Sequence, residues 1–247
     1  MPEKIKLALH NVQSGIGTTK GYWQYLIHIY KRLFPHHSKN IRKLGSLIKK
    51  ENVDILGTVE IDKGSYRTKN IDQVELLKKS SQLENAIFFP AFKYKNIAHQ
   101  GNAIHTNYPI ISSKNHRLPG AGEPRYAAEA TLKINHKKLT VFITHLSLDF
   151  FYRQEQIKTL SKHINKAKGP IILAGDFNIL HEGELEFLEK TDLQKVYTAK
   201  TFPVWRPSKR LDYVFASKEI QISEGRVIKK PALSDHCILI VDLFMSS

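Results

Sequence analysis

Eight polar residues stand where apolar runs of this chain begin or stop: Asn11, Glu60, His145, Asp176, Asn178, Asp212, Asp235 and His236. Side chains at strand ends project into a rim instead of a core, which is where chemistry is usually placed. Taken singly, each has a plain structural use, because a strand-end Asn or Asp often closes a turn. As a set they supply carboxylates for a hard cation, amides to orient oxygen atoms, and two imidazoles. A magnesium ion is held by few protein oxygens, with water and substrate phosphate completing its shell. Hydrolysis at phosphorus further needs a base for water and donors for the charge that develops. The residue types therefore suit hydrolysis of a phosphate ester assisted by Mg²⁺ or Mn²⁺.

The elements that must position them follow from the apolar pattern. Strands are expected at Ile5 to Asn11, Val53 to Glu60, Ala86 to Phe89, Gly101 to Thr106 and Tyr126 to Ile134. Further strands are expected at Leu139 to Leu146, Pro170 to Ala174, Leu211 to Ala216 and Cys237 to Phe244. Ser38 is placed to cap a helix carrying Ile41, Leu44, Leu47 and Ile48 on one face, and more helices fit Asp72 to Ser81, Phe151 to Ala167 and Glu182 to Lys190. The strands between Ala86 and Leu146 follow one another without a helix, which implies antiparallel meanders and excludes a doubly wound sheet. Helices recur in both halves. The expected architecture is a four-layer α/β/β/α sandwich of two mixed, largely antiparallel sheets, forming a single domain over residues 1–247.

Composition narrows the classes. With 247 residues, 41% hydrophobic and 25% charged, the chain can bury a core, which excludes a disordered or fibrous protein. The one cysteine, Cys237, excludes an internal disulfide framework and a thiolate zinc site. No apolar run reaches membrane-spanning length and no signal peptide is seen, so the expected location is the cytoplasm. Lys and Arg number 38 against 23 Asp and Glu, a net charge of +15. Such a surplus attracts nucleic acid, anionic membrane or phosphorylated small molecules, and it equally suits a solvated lysine-rich surface. A basic DNA-reading module is excluded, because no helix-turn-helix or zinc-finger pattern is present.

Six short strings raise the reading from chemistry to kinship. Val59-Glu60, Gly101-Asn102-Ala103-Ile104, Thr144-His145-Leu146, Gly175-Asp176-Phe177-Asn178, Arg210-Leu211-Asp212-Tyr213 and Ser234-Asp235-His236 occur in this order, after the strand ending in Asn11. In them the chain resembles the endonuclease/exonuclease/phosphatase superfamily, magnesium-dependent phosphoesterases with a DNase-like fold, from Ile5 to Leu243. The resemblance implies that Glu60, with Asn11 and Asp235, holds the metal. It implies that His145 donates to a non-bridging phosphate oxygen, and that Asp176 and Asn178 position or deprotonate the attacking water. His236 is the other candidate base, with Asp212 fixing its tautomer. Asn102 and Arg125 are implied as rim residues that touch phosphate or position neighbours, a plain surface ion pair being the other reading of Arg125, and Trp205 as a ring that either stacks on a base or sugar or packs.

The departures from the pattern matter as well. Glu60-Ile61-Asp62-Lys63 lacks the Thr- or Ser-Lys pair of abasic-site endonucleases, and Trp205-Arg206-Pro207 replaces the Trp-Cys-Asp-Arg string of inositol 5-phosphatases. The string around Trp205 resembles a compact bacterial branch. Phosphodiesters are expected as substrate ahead of monoesters, in nucleic acid or in a phospholipid headgroup. A relative that only binds phosphate would have no need of the full catalytic set.

One segment stands outside this pattern. Residues 22–34 read as a helix whose polar residues Gln24, His28, Lys31 and Arg32 form a narrow stripe opposite a wide apolar face. Three uses fit: packing on the chain's own core, docking on a partner chain, or peripheral contact with an anionic membrane through Trp23, Ile27, Tyr30 and Phe34.

Overall fold

The computed structural model describes residues 2–196 and 199–245. Among the described residues twelve strands form two six-stranded sheets. The first contains β1 (Glu3–Asn11), β2 (Ile55–Asp62), β3 (Asn85–Tyr94), β4 (Ala98–Thr106), β11 (Ile220–Ile228) and β12 (Ile238–Met245) in the order β11-β12-β1-β2-β4-β3. The second contains β5 (Ile110–Arg117), β6 (Tyr126–Ile134), β7 (Lys137–His145), β8 (Ile171–Asp176), β9 (Leu193–Lys195) and β10 (Asp212–Ser217) in the order β5-β6-β7-β8-β10-β9.

The sheets face each other across a core of alternate residues from both, including Leu7, Leu9, Ile55, Val141, Ile143, Ile172, Val214 and Val241. Burial of successive side chains in β7 and β8 reflects a sheet covered on both faces, and it explains why these strands read as continuous apolar runs. Helices α2 (Lys39–Lys50) and α3 (Gln73–Ser81) cover the outer face of the first sheet through Ile41, Leu44, Ile48, Val74 and Leu77. Helices α4 (Phe150–Ile164) and α5 (Glu186–Glu189) cover the second through Ile157, Leu160, Ile164 and Leu188. This is the α/β/β/α sandwich expected from the sequence.

Each sheet has one parallel pair, β1 with β2 and β7 with β8, and is otherwise antiparallel. A parallel pair needs a long crossover, and the helices α2 and α4 supply it. The pairing brings the carboxyl ends of β1 and β2, and of β7 and β8, to one end of the sandwich.

Three strands carry no sequence signal of the expected kind: β5, β9 and β11. All lie at sheet edges, where one side is solvated and polar residues interrupt the pattern, as in Ser112-Ser113-Lys114-Asn115 of β5. Ser38 precedes α2 as expected, but its hydroxyl does not cap the helix; it accepts from Gln73 Nε2 at 3.1 Å. Asp72 and Asp149 do cap, accepting from Val74 N and Tyr152 N at 3.0 Å. The expected helix over Glu182 to Lys190 is a 3₁₀ turn followed by the short α5. Among the described residues no helix is long and apolar enough to cross a membrane.

The helix expected over residues 22–34 is shorter, and of the three uses packing on the chain's own core is the one the structure sets aside. The helix is α1 (Trp23–His28) followed by a 3₁₀ turn, Ile29–Arg32, and its polar side faces the protein. Gln24 is buried, with Oε1 accepting from Thr19 N and Lys20 N at 2.7 Å each. His28 Nδ1 lies 3.3 Å from Thr18 Oγ1, and Lys31 Nζ donates to Ile16 O at 3.5 Å. The apolar side chains point outward, because the polar stripe is drawn to the backbone groups of the loop beneath.

Candidate active site

The end of the sandwich where the parallel pairs terminate holds an open cavity of about 690 Å³. Its floor carries Asn11, Glu60, His145, Asp176, Asn178, Asp235 and His236, so seven of the eight strand-end residues line one space. Asp212 stands directly behind, paired in register with Asp176 across β8 and β10.

Local backbone geometry sets each side chain. A register shift in β2 between Thr58 and Ile61 leaves Glu60 on a bulge with φ of 58°. Bulges re-aim a side chain, and here Glu60 is turned toward the cavity, 27% exposed, while Ser14 Oγ donates to its carbonyl at 2.9 Å. Asn178 also sits in the left-handed region, its amide donating to Leu146 O at 2.9 Å and its backbone N to Asp176 Oδ1 at 3.1 Å. Gly175 lets β8 lie close to β7, since a Cβ there would overlap the carbonyl of Thr144.

Asp176 Oδ2 is the centre of the constellation. Asn11 Nδ2 donates to it at 3.0 Å and to Glu60 Oε1 at 3.1 Å, joining the two sheets across their seam. His145 Nε2 lies 3.7 Å from the same oxygen and His236 Nε2 3.5 Å. His236 Nδ1 is 2.8 Å from Asp212 Oδ2, the arrangement in which a carboxylate orients an imidazole. Asp235 Oδ2 accepts from Gln13 Nε2 at 3.2 Å and from Tyr25 Oη at 2.5 Å.

The tautomer of His145 follows from its partner. Arg125 Nη1 is 3.0 Å from His145 Nδ1, and a guanidinium can only donate, so Nδ1 accepts and Nε2 carries the proton. Burial, and then the charges of Arg125 and His236, hold His145 well below the usual histidine range, so it is a neutral donor at pH 7. His236 shows the opposite balance: burial disfavours its charge, but Asp212 and Asp176 outweigh burial and raise it well above that range. Asp176 is pushed up to about 7, mainly by burial. Glu60 is raised by burial and then by the charge of Asp235.

Excess negative charge and missing partners indicate what the floor accommodates. Asp235 Oδ1 is buried without a hydrogen-bond partner, and Glu60 and Asp235 repel one another. Their oxygens, with the amide of Asn11, fit a hard divalent cation. Asp176, Asp212 and His236 also place one ligand atom each within 4.8 Å of one another, a second acidic grouping able to hold a metal.

Two expected contact residues stand apart from the cavity. Trp205 packs edge-on against Tyr22, ring centroids 5.2 Å apart, and does not line it. Asn102 is buried beside Glu60, Arg125 and His145 in a small side pocket, with Nδ2 3.5 Å from Tyr126 O. Arg125 lines the cavity through its contact with His145, beyond its pairing with Glu123 at 3.4 Å. Sequence reasoning missed Gln13 and Tyr25, which belong to no strand and no motif, and Arg67, which lines the cavity while its Nε donates to Asp62 at 2.8 Å. It also missed His10, fully buried near His236, which burial and then the charge of His236 lower to about 4.

Known proteins share this fold. The family model described as Endonuclease/Exonuclease/phosphatase family matches residues 8–236. A Bacteroides thetaiotaomicron protein of that family shares the fold with a TM-score of 0.78 at 16% identity, covering 100% of both chains. A mannosyl-6-phosphatase from the same organism superposes with a TM-score of 0.74 at 16% identity, over 97% of this chain and 99% of that one. TDP2 of D. rerio, solved with a single-strand DNA product, gives 0.72 at 17% identity over 98% and 99%. At these identities the likeness is one of fold. No curated protein matches the chain in sequence.

Proposed function

We propose a function from one premise: this chain belongs to the endonuclease/exonuclease/phosphatase family, and it is a phosphoesterase. The reading is a divalent-metal-dependent hydrolase that cleaves phosphodiesters in preference to monoesters, its catalytic domain spanning residues 1–247. The observation that carries it is the meeting of Asn11, His145 and His236 on a single buried oxygen, Asp176 Oδ2.

Each residue then has a task. Glu60, Asp235 and Asn11 would hold the cation, which would supply positive charge against the phosphate and so ease attack. Neutral His145 donates its Nε2 proton to a non-bridging oxygen, where negative charge grows in the transition state. Arg125 keeps that proton on Nε2 by occupying Nδ1. Asn178 holds the turn that fixes Asp176 Oδ1. The Asp176–His236 pair accepts the proton of the attacking water as a unit, since neither group titrates independently of the other. Asp212 holds His236 with Nε2 toward the cavity. The new oxygen–phosphorus bond forms as the bond to the leaving alcohol breaks.

A panel of soluble aryl phosphodiesters and monoesters, assayed with Mg²⁺, with Mn²⁺ and with chelator, tests this reading. Diester turnover should need the cation, stop in chelator and return when metal is restored. Undiminished turnover in chelator would overturn it.

A further inference from the structure

The segment over residues 22–34 is amphipathic the wrong way round for a helix that belongs to its own fold. A surface helix normally lays its apolar stripe on the core and its polar side in water. Here Gln24, His28 and Lys31 face the protein, while Tyr22, Trp23, Leu26, Ile27, Ile29, Tyr30, Leu33 and Phe34 face out, Leu26 being 79% exposed. Eight large apolar residues in thirteen exceed the scattered exposure normal for a soluble surface, and such a patch marks a contact.

A second exposed apolar group comes from a different part of the chain. Leu148, Phe150 and Phe151 lie at the start of α4, and Leu180 follows β8; Leu148 and Phe151 are each 78% exposed. Leu33 on one side, and Leu148 and Leu180 on the other, line the same catalytic cavity. The mouth of the site is thus flanked by apolar side chains on two sides.

Charge and shape select the occupant. From Lys4 to Lys50 the sequence contains no acidic residue; exposed Arg32 and Lys209 line the cavity, and exposed Lys20 and Arg206 flank the Tyr22–Trp205 contact in sequence. Basic residues among exposed apolar ones are the composition of an interfacial helix on anionic lipid. A second copy of this chain would bring two such basic faces together. A nucleic acid strand would use the rings, because bases stack on aromatic faces. It would leave Leu26, Ile29, Leu148 and Leu180, which are among the most exposed, against nothing suited to them.

We propose that this apolar crown docks on an anionic lipid surface, holding the catalytic mouth at headgroup depth. The orientation, though not the docking itself, rests on the reading of the cavity as a phosphoester hydrolase. In it, Leu26, Ile27, Ile29, Leu33 and Phe151 enter the acyl boundary. Arg32, Arg206 and Lys209 meet anionic headgroups.

Sedimentation of the full chain with phosphatidylcholine vesicles, with and without phosphatidylglycerol, tests the proposal. The wild type should pellet with phosphatidylglycerol vesicles, more weakly with neutral ones and at high salt. Leu26→Ser with Ile29→Ser, and separately Phe151→Ser, should weaken pelleting by about tenfold or more. Because these residues are exposed, melting temperature and turnover of a soluble aryl diester should not change. No pelleting of the wild type, or equal pelleting of both variants, would overturn it. So would a wild-type dimer that the variants dissociate, or loss of single-stranded DNA retention in the variants without vesicle binding. Failure to hydrolyse the soluble diester with metal would remove the enzymatic reading and leave the vesicle result standing, so the two failures are distinguishable.

Discussion

The floor of the cavity and its rim are built by opposite rules. On the floor, Asp176 is 1% exposed and its Oδ2 faces three polar neighbours supplied by both sheets. On the rim, Leu26 is 79% exposed, and the segment carrying it is tied down from its polar side. Desolvation sets the charges of the floor: burial raises Asp176 and lowers His145, and the charges of Asp212 and Asp176 outweigh it at His236. The rim does no chemistry of this kind. Its exposed apolar area is unfavourable in water and becomes favourable only when covered. On the two proposals, conversion of phosphate belongs to one region and selection of where it occurs to the other.

The two regions should separate most sharply in turnover. Asp176→Asn and His236→Ala should each lower kcat on a soluble diester by a factor on the order of 10² or more, with the melting curve retained. Rim variants should leave that kcat unchanged. Glu60→Gln belongs between these extremes, since it keeps a neutral oxygen donor: apparent metal affinity should fall about tenfold or more, and excess Mn²⁺ should restore part of the rate. A near wild-type kcat in Asp176→Asn would break the division of labour, because the residue joining both sheets would then be dispensable.

Stability should also distinguish buried from exposed groups. His105 is fully buried in β4, with Nε2 3.0 Å from Val74 O, and burial lowers it to about 4 from 6.5. A group held below its unfolded value is kept neutral by the fold. Its contribution is therefore full above pH 6.5 and is lost as pH falls toward 4, a change of roughly 3 kcal/mol. His236 works in the opposite sense, stabilising below pH 6.5 and losing that contribution as pH rises through its raised folded value. Melts at pH 7 and pH 5 should show a clear acid loss that His105→Asn reduces. The rim apolar residues have no proton to gain, so their exposure sets no acid limit.

Legibility in the sequence followed the same division. The eight strand-end residues were readable because each adjoins a buried strand, and continuous apolar runs reveal such strands. Edge strands β5, β9 and β11 were not, since water on one side relaxes the pattern that periodicity detects. The helix at residues 22–34 was legible only in part. Spacing identified the stripe of Gln24, His28 and Lys31 correctly, but spacing gives the direction of a face only relative to the helix axis. Which side meets the protein depends on the loop at Ile16 to Lys20, whose backbone groups needed polar partners. Gln13 and Tyr25 were invisible for a related reason: their role exists only through contact with Asp235, more than 200 positions away.

Tyr25 is where floor and rim touch, and its removal should have the smallest effect. It lies on α1 among the exposed apolar residues, yet Oη donates to Asp235 Oδ2 at 2.5 Å and the ring lines the cavity. Burial and the Asp235 carboxylate raise the phenol well above its ordinary value, so it remains protonated as a donor at any working pH. Tyr25→Phe keeps the ring and removes that donor. Hydrogen bonds to charged groups contribute about 1.5–3 kcal/mol, but Gln13 Nε2 still holds Asp235 and the open cavity admits water as a replacement. The expected result is a several-fold rise in the metal concentration needed for half-maximal rate, with kcat at saturating metal close to wild type. Faster amide exchange across Trp23–Arg32 should accompany it, because that segment loses a tether to the floor. A change in metal requirement without faster exchange would mean that Tyr25 serves the floor alone. Faster exchange with an unaltered metal requirement would mean that it only anchors the rim.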